Sequence, residues 1–241
     1  MSLPIITTPV YEVILPLSKR NIKFRPFLVK EQKNLLMAME ADDKESIERN
    51  VKQILTNCTL TENINIDELP VVDVEYYFLQ LRAKSVGEIV ENKYVCNNVV
   101  EGNPCNNTMP VNIDLNDINV EVDDNISDFI QLTPTIGIKL CYPKFATMEK
   151  LKVATTSVDM AFDIVVDSIE YIYDGEQYYY ANETDPKELM EFIESLNTEQ
   201  FNRVEEFFKS LPRLTKQLDF TCSKCGFRHK IDVEGLENFF G

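Results

Sequence analysis

The sequence predicts an α+β fold in which helical segments alternate with β-hairpins, including a pair of zinc-ribbon-like cysteine knuckles formed from the two halves of the chain. Three observations carry this expectation. Apolar residues recur at helical spacing over about 30–91 and again over 143–212. Apolar and polar side chains alternate near the N-terminus and across 92–142. A Cys-x-x-Cys-Gly turn, Cys222-Ser223-Lys224-Cys225-Gly226, lies between two strand-like runs, as a metal-binding hairpin requires.

Taken in order, the 241 residues are expected to form one compact chain of five segments. Residues 1–29 make a hairpin: Val10, Glu12 and Ile14 alternate with Tyr11, Val13 and Leu15, Ser18-Lys19-Arg20-Asn21 turns, and Ile22-Lys23-Phe24-Arg25 returns. Residues 30–91 are helical. A helix over about 30–41 carries Leu35, Leu36 and Met39, and a second starts at Asp43 as N-cap and aligns Ile47, Val51, Ile54 and Leu55. A third follows Pro70, gathers Val74, Tyr77, Phe78 and Leu81 on one face, and stops at Gly87.

Residues 92–142 hold the first cysteine knuckle and strands at 93–96, 111–115 and 136–140, with the acidic run 121–128 as a solvated connection. Helices resume near Phe145 and dominate 143–212. Met160, Ile164, Val165 and Ile169 read as a core stripe on one helix. Tyr173-Asp174-Gly175 is a turn, and Tyr178-Tyr179-Tyr180 is a short strand or an aromatic patch suited to packing or a protein contact. Asp185-Pro186 opens a further helix, Thr198 caps the next with Phe201, Val204 and Phe208 on one face, and Leu211-Pro212 ends it. Residues 213–241 supply the second knuckle and a tail.

Composition narrows the function. The chain carries 24 Lys and Arg against 40 Asp and Glu, a net charge of −16, which repels phosphate backbones and anionic lipid. Basic residues gather at 19–33 and 203–230, but acidic ones interleave with both groups, so neither a nucleic-acid nor a membrane partner is expected. No apolar run approaches the about 18 residues of a membrane span, and the first residues lack the pattern of a signal peptide. A soluble intracellular protein is the expectation. Only seven glycines occur, with neither GxGxxG nor GK[ST]. His229 is the only histidine, which excludes a Ser-His-Asp or Cys-His triad elsewhere, and an exposed structural role is expected for it. Carboxylate pairs such as Asp42-Asp43 and Asp123-Asp124 sit in polar connections and read as surface. The chain is not expected to be an enzyme.

The cysteines carry the most specific signal. Phe220-Thr221-Cys222 is matched by Tyr94-Val95-Cys96, and Cys225, six residues before Ile231-Asp232-Val233, by Cys105, six residues before Val111-Asn112-Ile113. The first copy departs by placing eight residues between its cysteines instead of two, and by lacking a glycine after Cys105. Cys96, Cys105, Cys222 and Cys225 together supply the four soft ligands of one closed structural zinc site. Two other readings stand beside it: a redox pair, although that motif normally opens a helix and here leads into a strand, and a ligand set that no longer binds metal. Cys58 and Cys141 lie in apolar settings and read as small buried hydrophobes.

Four segments in chain order carry a family likeness: Thr8-Pro9-Val10-Tyr11-Glu12-Val13, Phe24-Arg25-Pro26-Phe27-Leu28-Val29-Lys30-Glu31, Leu81-Arg82-Ala83-Lys84-Ser85-Val86-Gly87-Glu88, and the last knuckle ending in Asn238-Phe239-Phe240. With them the chain resembles the baseplate hub subunits (hub assembly proteins) of T-even-like contractile-tailed bacteriophages. The resemblance implies a part in building the hub of the tail baseplate, with other hub and tail proteins as partners and self-association compatible with it. It also implies residence in the host cytoplasm during assembly and no catalytic residues, and it leaves open whether the protein stays in the virion tail baseplate. The alternative is a zinc-ribbon nucleic-acid-associated or transcription factor, which shares the knuckles but calls for a basic stripe.

Overall fold

The computed structural model describes residues 6–40, 44–120, 122, 126–150 and 156–235. Asp42 and Asp43, Asp123 and Asp124, and the terminal Asn238-Phe239-Phe240 lie outside them. The fold is mixed α+β, in two units: Met1–Ile66, Val72–Glu121 and Arg213–Gly241 form the first, Asp67–Val71 and Val122–Pro212 the second.

The first unit begins with the antiparallel pair β1 (Tyr11–Ile14) and β2 (Asn21–Phe24), in register Val13 to Ile22. Val13, Leu15, Ile22 and Phe24 point inward and are buried, whereas Val10 and Ile14 face outward. Helices α1 (Val29–Glu40), α2 (Lys44–Cys58) and α3 (Val71–Ser85) follow. The turn between β1 and β2 is held by the wholly buried carboxylate of Asp73, which accepts the N–H groups of Leu17 and Ser18, each at 2.8 Å. The entry to α1 is fixed by the Arg25 guanidinium, which forks onto Glu31 at 3.1 and 2.9 Å, while Leu28 N–H donates to the same carboxylate. Ser85 Oγ accepts from Phe27 N–H. Three of the segments behind the family likeness thus interlock or line this core.

Helix α3 departs from the one-sided pattern expected of it. Val74, Tyr77, Phe78 and Leu81 are buried, but so are Val72, Leu79 and Ala83. The second set packs on Val90, Ile113, Leu115, Ile118, Leu214, Leu218 and Val233, so apolar residues surround the helix because both of its sides are covered. Those partners come from β3 (Ile89–Val95), from β6 (Thr108–Asp114) and from the stretch between β6 and β7 (Asn119–Val120), with the two-residue strands β4 (Val99–Val100) and β5 (Asn103–Pro104) lying between β3 and β6. They also come from two strands at the end of the chain. β3 pairs with β6, and β4 with β5.

The second unit carries β8 (Phe129–Gln131), β9 (Gly137–Leu140), α4 (Phe145–Lys150), α5 (Ser157–Asp167), β10 (Ile169–Tyr173), β11 (Tyr178–Tyr180), α6 (Pro186–Glu194) and α7 (Thr198–Lys209). Its antiparallel sheet has the order β11-β10-β9-β8. Ile130, Ile138, Leu140 and Ile172 pack with Val165, Leu189, Ile193, Val204 and Phe207 of the helices. The expected helical stripe is corrected here. Ser168 caps the end of α5, so Ile169 is a strand residue, and Met160 is 40% exposed. Asp185 caps α6 with Pro186 in its first turn, as expected. Helix α7 is capped by Asn197 rather than Thr198, because Asn197 and Gln200 form a reciprocal capping box. The chain then re-enters the first unit with β12 (Leu214–Thr221) and β13 (Arg228–Glu234), in a sheet of order β13-β12-β7.

Candidate metal centre

Each knuckle is built by a long antiparallel pair that ends in a cysteine. In β3–β6 the register runs Tyr94 to Met109 and Val95 to Thr108, and in β12–β13 it runs Phe220 to His229 and Thr221 to Arg228. Cys96 and Cys222 follow directly. Their N–H groups donate to Asn107 and Phe227 carbonyls, both at 2.8 Å. Their carbonyls in turn accept from Asn106 N–H at 3.2 Å and Gly226 N–H at 2.9 Å.

The two turns therefore close in the same way despite their unequal lengths. The eight residues between the cysteines of the first fold on themselves as β4–β5, with Glu101 and Gly102 at positive φ, and Cys105 N–H returns to Asn98 carbonyl at 2.8 Å. The residue after the second cysteine must be left-handed in both knuckles. Gly226 has φ 72° and Asn106 has φ 49°, and asparagine tolerates that region better than other non-glycine residues.

The structure brings all four expected ligands together. Cys96, Cys105 and Cys222 are buried and Cys225 is half-buried, with the four Sγ atoms within 4.8 Å of one another. Cys96 Sγ lies 3.6 Å from Cys225 Sγ, and Cys105 Sγ 3.8 Å from Cys222 Sγ, so the first cysteine of each knuckle faces the second of the other. All are free thiols. A tetrahedral zinc with Zn–S of about 2.3 Å requires sulfur separations of roughly 3.8 Å. The donor set therefore fits a tetrahedral soft-metal site. Cys58 and Cys141 are not part of the cluster.

Protonation favours a cation at this point. N–H groups of Cys225 and Lys224 in the tight turn pull the Cys222 thiol down to about 6, and Phe227 N–H lowers Cys225. Burial pushes Cys96 up to about 12 and also raises Cys105. Four sulfurs this close cannot all ionise without a positive charge among them.

Three polar side chains surround the sulfurs. Asn98 Nδ2 lies 3.6 Å from Cys225 Sγ, Asn107 Nδ2 lies 3.5 Å from Cys222 Sγ, and His229 Nε2 lies 3.3 Å from Cys96 Sγ. The expected exposure of His229 is corrected: it is 6% exposed, stacked on Phe220 and edge-on to Phe227. It faces inward because it shares a strand face with Val233, which lies in the core. Sequence reasoning missed both asparagines, whose only signal is their closeness to cysteines.

Residues 8–241 match the family described as T4 bacteriophage base plate protein. The chain belongs to that family. No curated protein and no solved structure matches it. In this baseplate protein the family match runs through both units and takes in all four cysteines. The earlier likeness thus holds at the level of the baseplate family. No helix among the described residues is long and apolar enough to cross a membrane.

Proposed function

We propose that this baseplate protein is a component or assembly factor of the baseplate hub that works through protein–protein contacts. One structural zinc ion, ligated by Cys96, Cys105, Cys222 and Cys225, holds its first unit together. The observation that carries the reading is the four-sulfur cluster inside a family match spanning nearly the whole chain. Cys96 and Cys225 are 129 positions apart, so a shared ligand closes just over half of the chain into one loop and fixes β12–β13 against β3–β6. Zinc, when bound, supplies the charge that lets four thiolates coexist and a cross-link stable in a reducing cytoplasm. The charge of −16 further supports partners that are proteins rather than nucleic acid or anionic lipid.

The partners on this reading are other hub and tail proteins, met in the host cytoplasm during assembly. Deleting the protein from the phage tests it. Hub formation should fail while DNA replication continues, and normal tails in the deletion strain would contradict the proposal.

A further inference from the structure

The sheet of the second unit has two unlike faces. Its Ile130, Ile138 and Ile172 side packs under helices. The opposite side presents Phe129, Lys139, Tyr171, Tyr173, Tyr178 and Tyr180, through the cross-strand pairs Phe129 to Lys139, Lys139 to Tyr171, Tyr171 to Tyr180 and Tyr173 to Tyr178. The tyrosines form one array: Tyr173 and Tyr178 centroids lie 5.0 Å apart, Tyr171 meets Tyr178 edge-on at 5.2 Å, and Tyr178 and Tyr180 stack at 6.2 Å. Even so, Tyr178 stays 51% exposed and Tyr180 45%. This is a built aromatic surface left in water.

Four carboxylates, Asp128, Glu170, Asp174 and Glu176, lie on or beside its strands against the one ammonium of Lys139. Asp128 lies 2.6 Å from Lys139 Nζ and offsets the face's ammonium, on which Glu170 also acts. Asp174 and Glu176 are exposed in the loop between β10 and β11, and Asp174 is held there by the N–H of Gln177 and the hydroxyl of Tyr179. Ring faces rimmed by carboxylates attract cations twice, through the π quadrupole and through ionic contact.

We propose that this tyrosine face docks a cationic segment of another baseplate protein, whose Arg and Lys side chains lie on the rings and reach the rim carboxylates. The proposal rests on the reading of the chain as an assembly protein and names the chemistry of a partner. A second copy is disfavoured, because it brings the same acidic rim and the same −16 charge to the contact. Nucleic acid and anionic lipid are disfavoured on the same ground.

The test is photo-cross-linking in infected cells, with Tyr178→p-benzoylphenylalanine in the full chain and the same photo-residue at exposed Glu101 as control. The adduct should map to a net-positive segment of another baseplate protein. That segment, made as a peptide, should bind the wild-type chain and bind the Tyr178→Ala, Tyr180→Ala double variant about tenfold more weakly at unchanged melting temperature. An adduct to a second copy, to an acidic segment or to nucleic acid would overturn the proposal, as would a yield no higher than the control. Hub-less tails in the deletion strain with no such adduct would refute the docking face alone. A cationic adduct from outside the hub would refute the hub assignment and leave the face standing.

Discussion

Asn106 occupies in the first knuckle the place that Gly226 occupies in the second. Each follows the second cysteine of its turn, each has positive φ, and each donates its N–H to the carbonyl of the first cysteine, Cys96 or Cys222. The two turns, one with eight residues between its cysteines and one with two, thereby deliver their sulfurs in equivalent positions. The left-handed residue is what makes them equivalent.

Substitution at Gly226 isolates that requirement. A Cβ there would meet no atom within 4 Å, so any cost is conformational, about 1–2 kcal/mol for Gly226→Ala. Gly226→Asn should cost clearly less, since asparagine already serves at position 106. Thermal melts of the two variants test the ranking, and equal losses would contradict it.

Gly137 is a different case, set by space. A Cβ on Gly137 would overlap the ring of Phe129, which lies over it. Gly137→Ala should destabilise the chain by roughly 1–3 kcal/mol through overpacking. In a Phe129→Ala background the same change should be nearly neutral. A double-mutant cycle with coupling near zero would show that the ring simply swings away.

The Arg25–Glu31 pair predicts a pH dependence. Burial alone would raise the Glu31 pKa, but the Arg25 guanidinium and Leu28 N–H outweigh it and hold the group below its ordinary value of 4.5. The folded pKa is therefore lower than the unfolded one. The stabilisation is fully present above about 4.5 and is lost as pH falls through the folded value. Arg25 retains 19% exposure against 6% for Glu31, so Glu31→Gln should cost on the order of 2–3 kcal/mol, less than a fully buried pair. The variant should also flatten the acid limb of a stability-against-pH curve, and an unchanged limb would contradict the assignment.

Much of this was legible because its signals are local. Helical spacing marked Val51, Ile54 and Leu55, Pro186 marked the start of α6, and the Cys-x-x-Cys-Gly turn with its shared frame led to all four sulfurs. What was missed depends on tertiary surroundings. Whether α3 buries one side or both is decided by β-strands that return from the far end of the chain. Ile169 continued a helical period by coincidence, while the cap at Ser168 had already ended the helix. His229 was within reach of sequence reasoning, since counting back from Val233 through Ile231 in steps of two places it on the inward side of β13. Its basic neighbours, Arg228 and Lys230, instead suggested a solvated strand.

The proposed function depends most on one zinc ion held by four cysteines from two separate segments of the first unit. Elemental analysis of protein purified without chelator tests it most directly, on the wild type and on the Cys225→Ser and Cys58→Ser variants. The wild type and Cys58→Ser should each carry about one zinc per chain. Cys225→Ser should lose it, as should the wild type on acidification, because protons then compete for the thiolates. Metal-free wild-type protein with reduced, freely titrating thiols at Cys96, Cys105, Cys222 and Cys225 would contradict the claim.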